Sequence, residues 1–413
     1  MHWKIDSSLK IVVLGLGYVG LPTAIAFSKK YKTKYKTIGV DTNNKRIEEL
    51  KKGVDRKGGF SKGEILENLN LVFETQISFA QERTVFIVTV PTPVTAKKEP
   101  DLSFLTEVSK EIAFVLKMGD LVIYESTTFP GCTEEVCIPI LELHSKLKLN
   151  IDFGVGYSPE RYSPGETKRV ESIIRVTSGS SKGVAEMVDK LYGSIMEVGT
   201  YLAPSIKVAE AAKLAENCQR DLNISFVNEL ALIFDRMNIS TSEVLKAAKT
   251  KWNFLDFKPG LVGGHCISVD PYYMIHKARA LDYDPKVIGA GRLVNEEMGR
   301  FIAHKCMKLM TRKGIALNET KVLILGFAYK ANCSDFRNTK VIDLYKELLG
   351  FGVQASVYDP LVDNTEVSKE SGLELEEKLN LEDYEVVIVA VNHDCFVTLN
   401  LEGIPLVIND LFN

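Results

Sequence analysis

The sequence predicts an α/β protein in which two parallel-sheet units are joined by a central helical connector containing one long helix. Three observations carry this. The first 130 residues alternate short apolar runs with amphipathic stretches, residues 205–237 read as one helix with no Pro or Gly, and the alternation resumes at residue 321. The apolar runs are nearly continuous, as in strands covered on both faces. They predict strands over 10–15 (KIVVLG), 36–41 (KTIGVD), 84–90 (TVFIVTV) and 120–125 (DLVIYE), then near 321–326, 353–358, 385–391 and 405–409. Helix runs from the long segment to about residue 300, interrupted by FKPGLVGGHC at 257–266. The expected domains are therefore 1–200, 201–300 and 301–413. Pro-containing loops, Pro91-Thr92-Pro93 and 127–130, follow two of the strands and are candidate site walls, because ligands of open α/β sheets gather at the carboxyl ends of strands.

Composition narrows the function. The 413 residues are 45% apolar and 25% charged, which excludes disorder and collagen. Fifty-one Lys plus Arg against 54 Asp plus Glu give a net charge of -3, so no global positive field exists for nucleic acid or an anionic membrane. The seven cysteines are odd in number and form no CxxC pair or Cys/His array of zinc spacing. No metal is expected, and a reducing, cytoplasmic compartment is the simplest reading. Residues 11–27 follow Lys4 and Lys10 and are uncharged, like the core of a signal peptide. The run contains GxGxxG and is followed by a second strand, which gives it a soluble explanation.

Gly15, Gly17 and Gly20 form that motif directly after a strand and at a helix start, and Asp41 closes the next strand. The glycines suit a tight turn, backbone room for a pyrophosphate and close helix packing, while the helix N-terminus offers N–H groups to phosphate. This is the Rossmann-like dinucleotide site. Asp41 suits the ribose hydroxyls and repels a 2'-phosphate, favouring NAD over NADP. Arg46 has two readings, a solvated helix charge or a stacking or pyrophosphate contact. The C-terminal unit repeats the plan, strand VLILG leading to a strand that closes on Asp359, but lacks GxGxxG, so it is expected to hold something other than a dinucleotide.

The second dense cluster is Gly263-Gly264-His265-Cys266-Ile267-Ser268-Val269-Asp270-Pro271. Paired glycines let backbone approach a ligand, and a thiolate just beyond them can reach it. The other six cysteines read as small core residues.

With these motifs the chain resembles the UDP-glucose/GDP-mannose dehydrogenase family of nucleotide-sugar 6-dehydrogenases. The match runs through GLGYVGLP (15–22), VPTPV (90–94) with PDL (100–102), ESTTFPG (125–131), YSPER with PG (157–165), KVAEAAKLAEN (207–217) with NE (228–229), GGHCISVDP (263–271) and GFAYKANCSDFRNT (326–339). The resemblance implies oxidation of a sugar C6 hydroxymethyl to a carboxylate with two NAD reduced, a C-terminal domain that grips UDP, and a homodimer through the connector. It implies Cys266 as nucleophile, and Lys213 and Asn217, four apart on one helix face, as stabilisers of oxyanions. Asp270 is implied in the proton-transfer network, Glu160 as general base, and Thr128 in placing the water. Cofactor contacts are implied at Tyr18, Val19, Pro91, Thr92 and Thr128. Substrate contacts are implied at Glu160, Arg161, Lys213, Asn217, Phe254, Leu255, Lys258, Gly263, Lys330 and Arg337. Asp335 either orients Arg337 or caps the following helix.

Val269 stands where UDP-glucose dehydrogenases usually carry Lys, and GGHCISVDPYY is similar to the bacterial enzymes that oxidise UDP-N-acetylglucosamine or UDP-N-acetylgalactosamine for capsule and O-antigen synthesis. The competing readings are UDP-glucose oxidation, a two-electron β-hydroxyacid dehydrogenase and a non-catalytic nucleotide-sugar binder. The last two need no cysteine in a Gly-Gly loop.

Overall fold

The computed structural model describes residues 9–31, 37–56, 59–68, 70–79, 81–161, 170–318, 320–409 and 411–412. Pro164 and Gly165 of the family motif lie outside them. The chain divides into two compact units, Met1–Glu216 with Tyr272–Tyr283, and Asn217–Pro271 with Asp284–Asn413.

The first unit contains β1 (Lys10–Leu14), α1 (Gly20–Lys30), β2 (Thr37–Val40), α2 (Asn44–Lys51), α3 (Lys62–Leu66), β3 (Leu71–Glu74), β4 (Thr84–Val88), α4 (Ser103–Val115) and β5 (Leu121–Tyr124). It continues with α5 (Ile138–Ser145), β6 (Gly154–Tyr157), β7 (Arg175–Gly179), α6 (Lys182–Gly193) and β8 (Thr200–Leu202). Its eight strands are ordered β3-β2-β1-β4-β5-β6-β7-β8. All neighbours are parallel except β6 and β7, which pair antiparallel. Strands β4 and β5, apolar apart from Thr84, are wholly buried because helices cover both faces. In α6, Val184, Met187, Val188 and Leu191 form one apolar stripe against the core, and Ser181 caps the helix by accepting the Val184 N–H. Strand order reverses beside β1, which sets the crevice at its carboxyl end.

Helix α7 (Ile206–Met237) supplies residues to both units, as does α9 (Asp270–Arg279). The second unit holds α8 (Thr241–Lys249), α10 (Lys286–Arg312), β9 (Lys321–Leu325), α11 (Val341–Gly350), β10 (Gln354–Tyr358), α12 (Asn364–Ser371), β11 (Val386–Val389) and β12 (Leu406–Ile408). Its parallel sheet is ordered β10-β9-β11-β12, and its core joins Ile302, Cys306 and Met310 of α10 to Val322 and Ile324 of β9.

The two α/β units and the long helix are as the sequence predicts. The 11–27 run splits into β1 and α1, and no described helix is long and apolar enough to cross a membrane. Helix continues to Arg312 rather than to about 300. Strands β3, β6, β7 and β8 escape the sequence reading for a physical reason: LVFE, GVGY, RVTSG and TYL are too short, glycine-bearing or polar to give a continuous apolar run.

Candidate functional site

The glycine loop of the first unit is shaped for a close ligand. Gly15 has φ +93, and a Cβ on it would meet the Thr89 backbone oxygen at 3.0 Å. A Cβ on Gly20 would lie 1.8 Å from the Gly15 oxygen, so only glycine lets α1 start here. At Gly17 a Cβ would meet nothing within 4 Å, so the backbone there faces open space. Helix α1 starts without a side-chain cap, although in its first turn Leu21 N–H already donates to the Gly17 oxygen at 3.3 Å and Pro22 has no N–H. Asp41 accepts the Leu16 N–H at 2.8 Å and the Asn43 N–H at 2.9 Å, fixing the carboxylate one strand away from the loop. Its remaining lone pairs suit ribose hydroxyls. These residues fit a dinucleotide.

Arg46 is not a solvated charge. It is 7% exposed, donates Nε to the Leu16 oxygen at 3.1 Å and pairs with Asp55 at 2.8 Å, so it ties the loop to the chain after α2. Thr89 was not singled out by sequence, yet its hydroxyl lies 2.8 Å from the Leu14 oxygen and 2.7 Å from the Gly15 oxygen. Tyr18 and Val19 are half-buried on the loop, Pro91 is exposed and Thr92 is buried.

A second cluster lies where β5 and β6 end and α7 begins. The Thr128 hydroxyl donates to buried Glu210 at 3.2 Å, and the Thr133 N–H reaches the same carboxylate at 2.9 Å. Burial pushes the Glu210 carboxyl up from its ordinary value, against the pull of donors from Thr133, Gly131 and Thr128. Glu210 therefore pins the ESTTFPG loop, a role hidden in sequence because a Glu on a helix usually faces water. One turn along, Lys213 is 7% exposed and donates Nζ to the Glu160 backbone oxygen, leaving two ammonium N–H bonds for a substrate oxygen. The Glu160 carboxylate pairs with buried Arg175 at 2.5 Å and accepts the Arg161 N–H at 2.7 Å. Arg161 spends its fork on Glu216, at 2.8 and 3.1 Å.

In the second unit Cys266 is half-buried, and its carbonyl accepts the Asp270 N–H at 2.9 Å, turning the chain into α9. The loop before it is held against the segment after β9. The Gly264 N–H donates to the Arg337 oxygen at 2.9 Å, and Asn338 Nδ2 donates to the Gly264 oxygen at 3.1 Å. Gly264 has φ +85, and a Cβ there would strike the Tyr329 ring at 2.9 Å. Asn217 donates Nδ2 to buried Asp270, orienting both. Neighbouring Cys218 is no rival nucleophile, since burial and the nearby Asp270 and Asp221 push its thiol up to about 12.

The second unit repeats the crevice of the first at the carboxyl ends of β9 and β11. A cavity of about 180 Å³ is lined there by Tyr329, Lys330, Lys340 and Asn392 among others. Lys330 Nζ sits 5.5 Å from the centre of the Tyr329 ring. Arg337 is held by Asp335 at 2.6 and 2.9 Å, so Asp335 orients the arginine, and the helix cap falls to Lys340. Asp359, the counterpart of Asp41, is buried, accepts the Phe327 and Ala328 N–H groups and is closed off by His393 at 3.0 Å. Oδ2 of Asp359 is thus engaged by three donors of its own unit, where Asp41 accepts one N–H on each oxygen. Phe254 is half-buried, Leu255 and Lys258 are exposed, and none of the three lines the cavity.

Comparison with known proteins identifies the family. The chain matches the UDP-glucose/GDP-mannose dehydrogenase family in its NAD binding domain over residues 9–196, its central domain over 207–297 and its UDP binding domain over 323–411. It is 49% identical over 397 residues to UDP-N-acetyl-D-glucosamine 6-dehydrogenase of Salmonella typhi, covering 96% of this chain and 92% of that one. Protein CapL of Staphylococcus aureus is 45% identical over 95% of this chain and 96% of its own. Among solved structures, UDP-D-ManNAc dehydrogenase from Pyrococcus horikoshii superposes with a TM-score of 0.86 at 30% identity, covering 98% of this chain and 96% of that one.

Proposed function

Because the chain belongs to the UDP-glucose/GDP-mannose dehydrogenase family of NAD-dependent nucleotide-sugar dehydrogenases, we propose that it oxidises the C6 hydroxymethyl of a UDP-N-acetylhexosamine, foremost UDP-N-acetylglucosamine, to the carboxylate. The glycine loop would hold NAD, which would supply the hydride acceptor for each of two oxidations at C6. Lys213 and Asn217 stabilise the alkoxide formed as the alcohol loses its proton. Cys266, as thiolate, adds to the C6 aldehyde, so the intermediate stays covalently held until the second oxidation makes it a thioester. Glu160 takes a proton from water, Thr128 and Asp270 help to hold that water, and hydrolysis frees the carboxylate and the thiol. The balance is one alcohol, one water and two NAD+ giving one carboxylate, two NADH and three protons.

One observation supports this reading above the rest. The thiol-bearing loop is hydrogen-bonded through Gly264 to Arg337 and Asn338, on the segment whose Lys330 lines the cavity at the strand ends. A UDP held there by Lys330 and Arg337 extends its sugar toward Gly263 and Cys266, with Phe254, Leu255 and Lys258 on the neighbouring loop and Arg161 beside Glu160. Pro91, Thr92, Tyr18, Val19 and Arg46 complete the cofactor site. The functional division is 1–200 for NAD, 201–300 for the connector and 301–413 for UDP. Phe226, Ile233 and Met237 form an exposed apolar face on α7, with Trp252 91% exposed nearby in sequence, and we assign this face to a homodimer. The enzyme works in the cytoplasm and supplies a uronic acid sugar for surface polysaccharide.

Cys266→Ser tests the covalent route. The expected result is loss of carboxylate formation by at least about 10³-fold; carboxylate made at the wild-type rate would refute the thioester.

A further inference from the structure

A buried charge cluster surrounds Glu160 and is larger than one ion pair. It arises from the single antiparallel pairing of the first sheet, in which β7 runs back along β6 with Tyr157 opposite Ser178 and Gly156 opposite Gly179. The same register continued past Tyr157 sets Arg175, the first residue of β7, opposite Glu160. In an all-parallel sheet the start of β7 would lie at the other edge, away from the carboxyl ends of β5 and β6.

The Arg175 side chain is 3% exposed and every arm is used. Nε donates to the Ser158 hydroxyl at 2.9 Å, Nη2 to the Ser158 carbonyl at 3.0 Å, Nη1 to Glu160 at 2.5 Å, and Nη2 also pairs with Glu125 at 2.7 Å. The Tyr192 ring packs 4.9 Å from the guanidinium carbon, and its hydroxyl donates to the other Glu125 oxygen. Thr23 of α1 approaches Glu125 at 3.4 Å. Two carboxylates thus share one buried cation, Glu125 fully buried and Glu160 at the accessible side. Burial pushes the Glu125 carboxyl up, aided by repulsion from Glu160 and opposed by Arg175.

We propose that Glu125 and Arg175 are positioning residues that set the pose and basicity of Glu160. This rests on the role assigned above to Glu160 in thioester hydrolysis. An arginine paired with Glu160 alone would hold its carboxylate tightly and make it a poor base; Glu125 on the same guanidinium returns negative charge and restores affinity for a proton. Two described charges beside Glu160 are engaged elsewhere. Lys213 binds its backbone oxygen, and the Arg161 guanidinium is taken by Glu216.

The test records the pH profile of kcat and KM from pH 5 to 9 with UDP-N-acetylglucosamine and saturating NAD, and counts covalent adduct by intact-protein mass, for wild type, Glu125→Gln, Tyr192→Phe and Glu160→Gln. Glu125→Gln is expected to move the acid limb of kcat down by about one pH unit with KM little changed, because the lone Arg175 then depresses Glu160. Tyr192→Phe removes the donor that keeps Glu125 charged, and is expected to move the limb the same way by less. It carries the test if Glu125→Gln does not fold. Limbs that superpose on wild type in the folded variants, while Glu160→Gln accumulates adduct, would overturn this inference and leave the role of Glu160 standing. A Glu160→Gln enzyme with the wild-type profile and no adduct would instead remove that role, and this inference with it.

Discussion

On the proposed ribose assignment, Asp41 would carry the choice of nicotinamide cofactor on one carboxylate. Its charge repels a 2'-phosphate, while its two oxygens take one backbone N–H each, from Leu16 and from Asn43. Asp41→Asn removes the charge and keeps one of those two acceptors, so the ratio of kcat/KM for NAD over NADP is expected to fall about tenfold or more, read from initial rates with each cofactor. An unchanged ratio would contradict the ribose assignment. At the equivalent place in the second unit, His393 accepts the Asn332 N–H at 2.8 Å through Nδ1 and donates Nε2 to Asp359. His393→Phe would leave a buried carboxylate and a backbone N–H short of a partner. It is expected to cost about 1–3 kcal/mol in denaturant unfolding and to weaken UDP binding measured by calorimetry. Burial pushes Asp359 up, but hydrogen bonds from His393, Phe327, Ala328 and Leu361 outweigh it and hold the carboxyl below its ordinary value. A depressed carboxyl stabilises fully above about pH 4 and loses that contribution as the pH falls through its folded value. Unfolding followed below pH 4 is expected to narrow the gap between wild type and variant.

The β1 to α1 turn is the element on which the cofactor site depends. Gly20→Ala drives a methyl into the Gly15 carbonyl, and backbone cannot move aside as a flexible side chain would. NADH binding, followed by its fluorescence, is expected to weaken at least about tenfold, with stability lowered by about 2 kcal/mol or more. Wild-type affinity in this variant would mean that the turn relaxes and does not fix the cofactor. This element was legible in sequence because glycines at fixed spacing between a strand and a helix have a direct steric meaning. So was the Gly-Gly-Cys loop, where the positive φ of Gly264 and its contact with Tyr329 give the glycines their reason. Arg175 and Glu210 were not legible. Their partners lie on other strands and helices, and neither β7 nor the pinned loop leaves a periodic trace. Arg175 does stand between Ile174 and Val176, and a lone charge at the head of such a run was the available signal.

At the scale of the molecule, one architectural plan is used twice with different outcomes. Both sheets reverse strand order at a central strand, β1 in the first unit and β9 in the second, and both put an aspartate on the adjoining strand end. In the first unit Asp41 stays partly exposed beside an open glycine, while in the second Asp359 is sealed by His393 and the cavity is edged by Lys330. The plan thus offers one crevice to a dinucleotide and one to an anionic nucleotide sugar. The proposed function adds the Cys266 thiol, which extends the reaction to a four-electron dehydrogenation. The most direct test counts NADH formed per sugar consumed, with limiting UDP-N-acetylglucosamine, UDP-N-acetylgalactosamine and UDP-glucose in separate reactions with excess NAD. The expected result is two NADH per sugar, fastest with UDP-N-acetylglucosamine. One NADH per sugar, with an aldehyde or ketone as product, would contradict the covalent second oxidation and remove Cys266 from the chemistry.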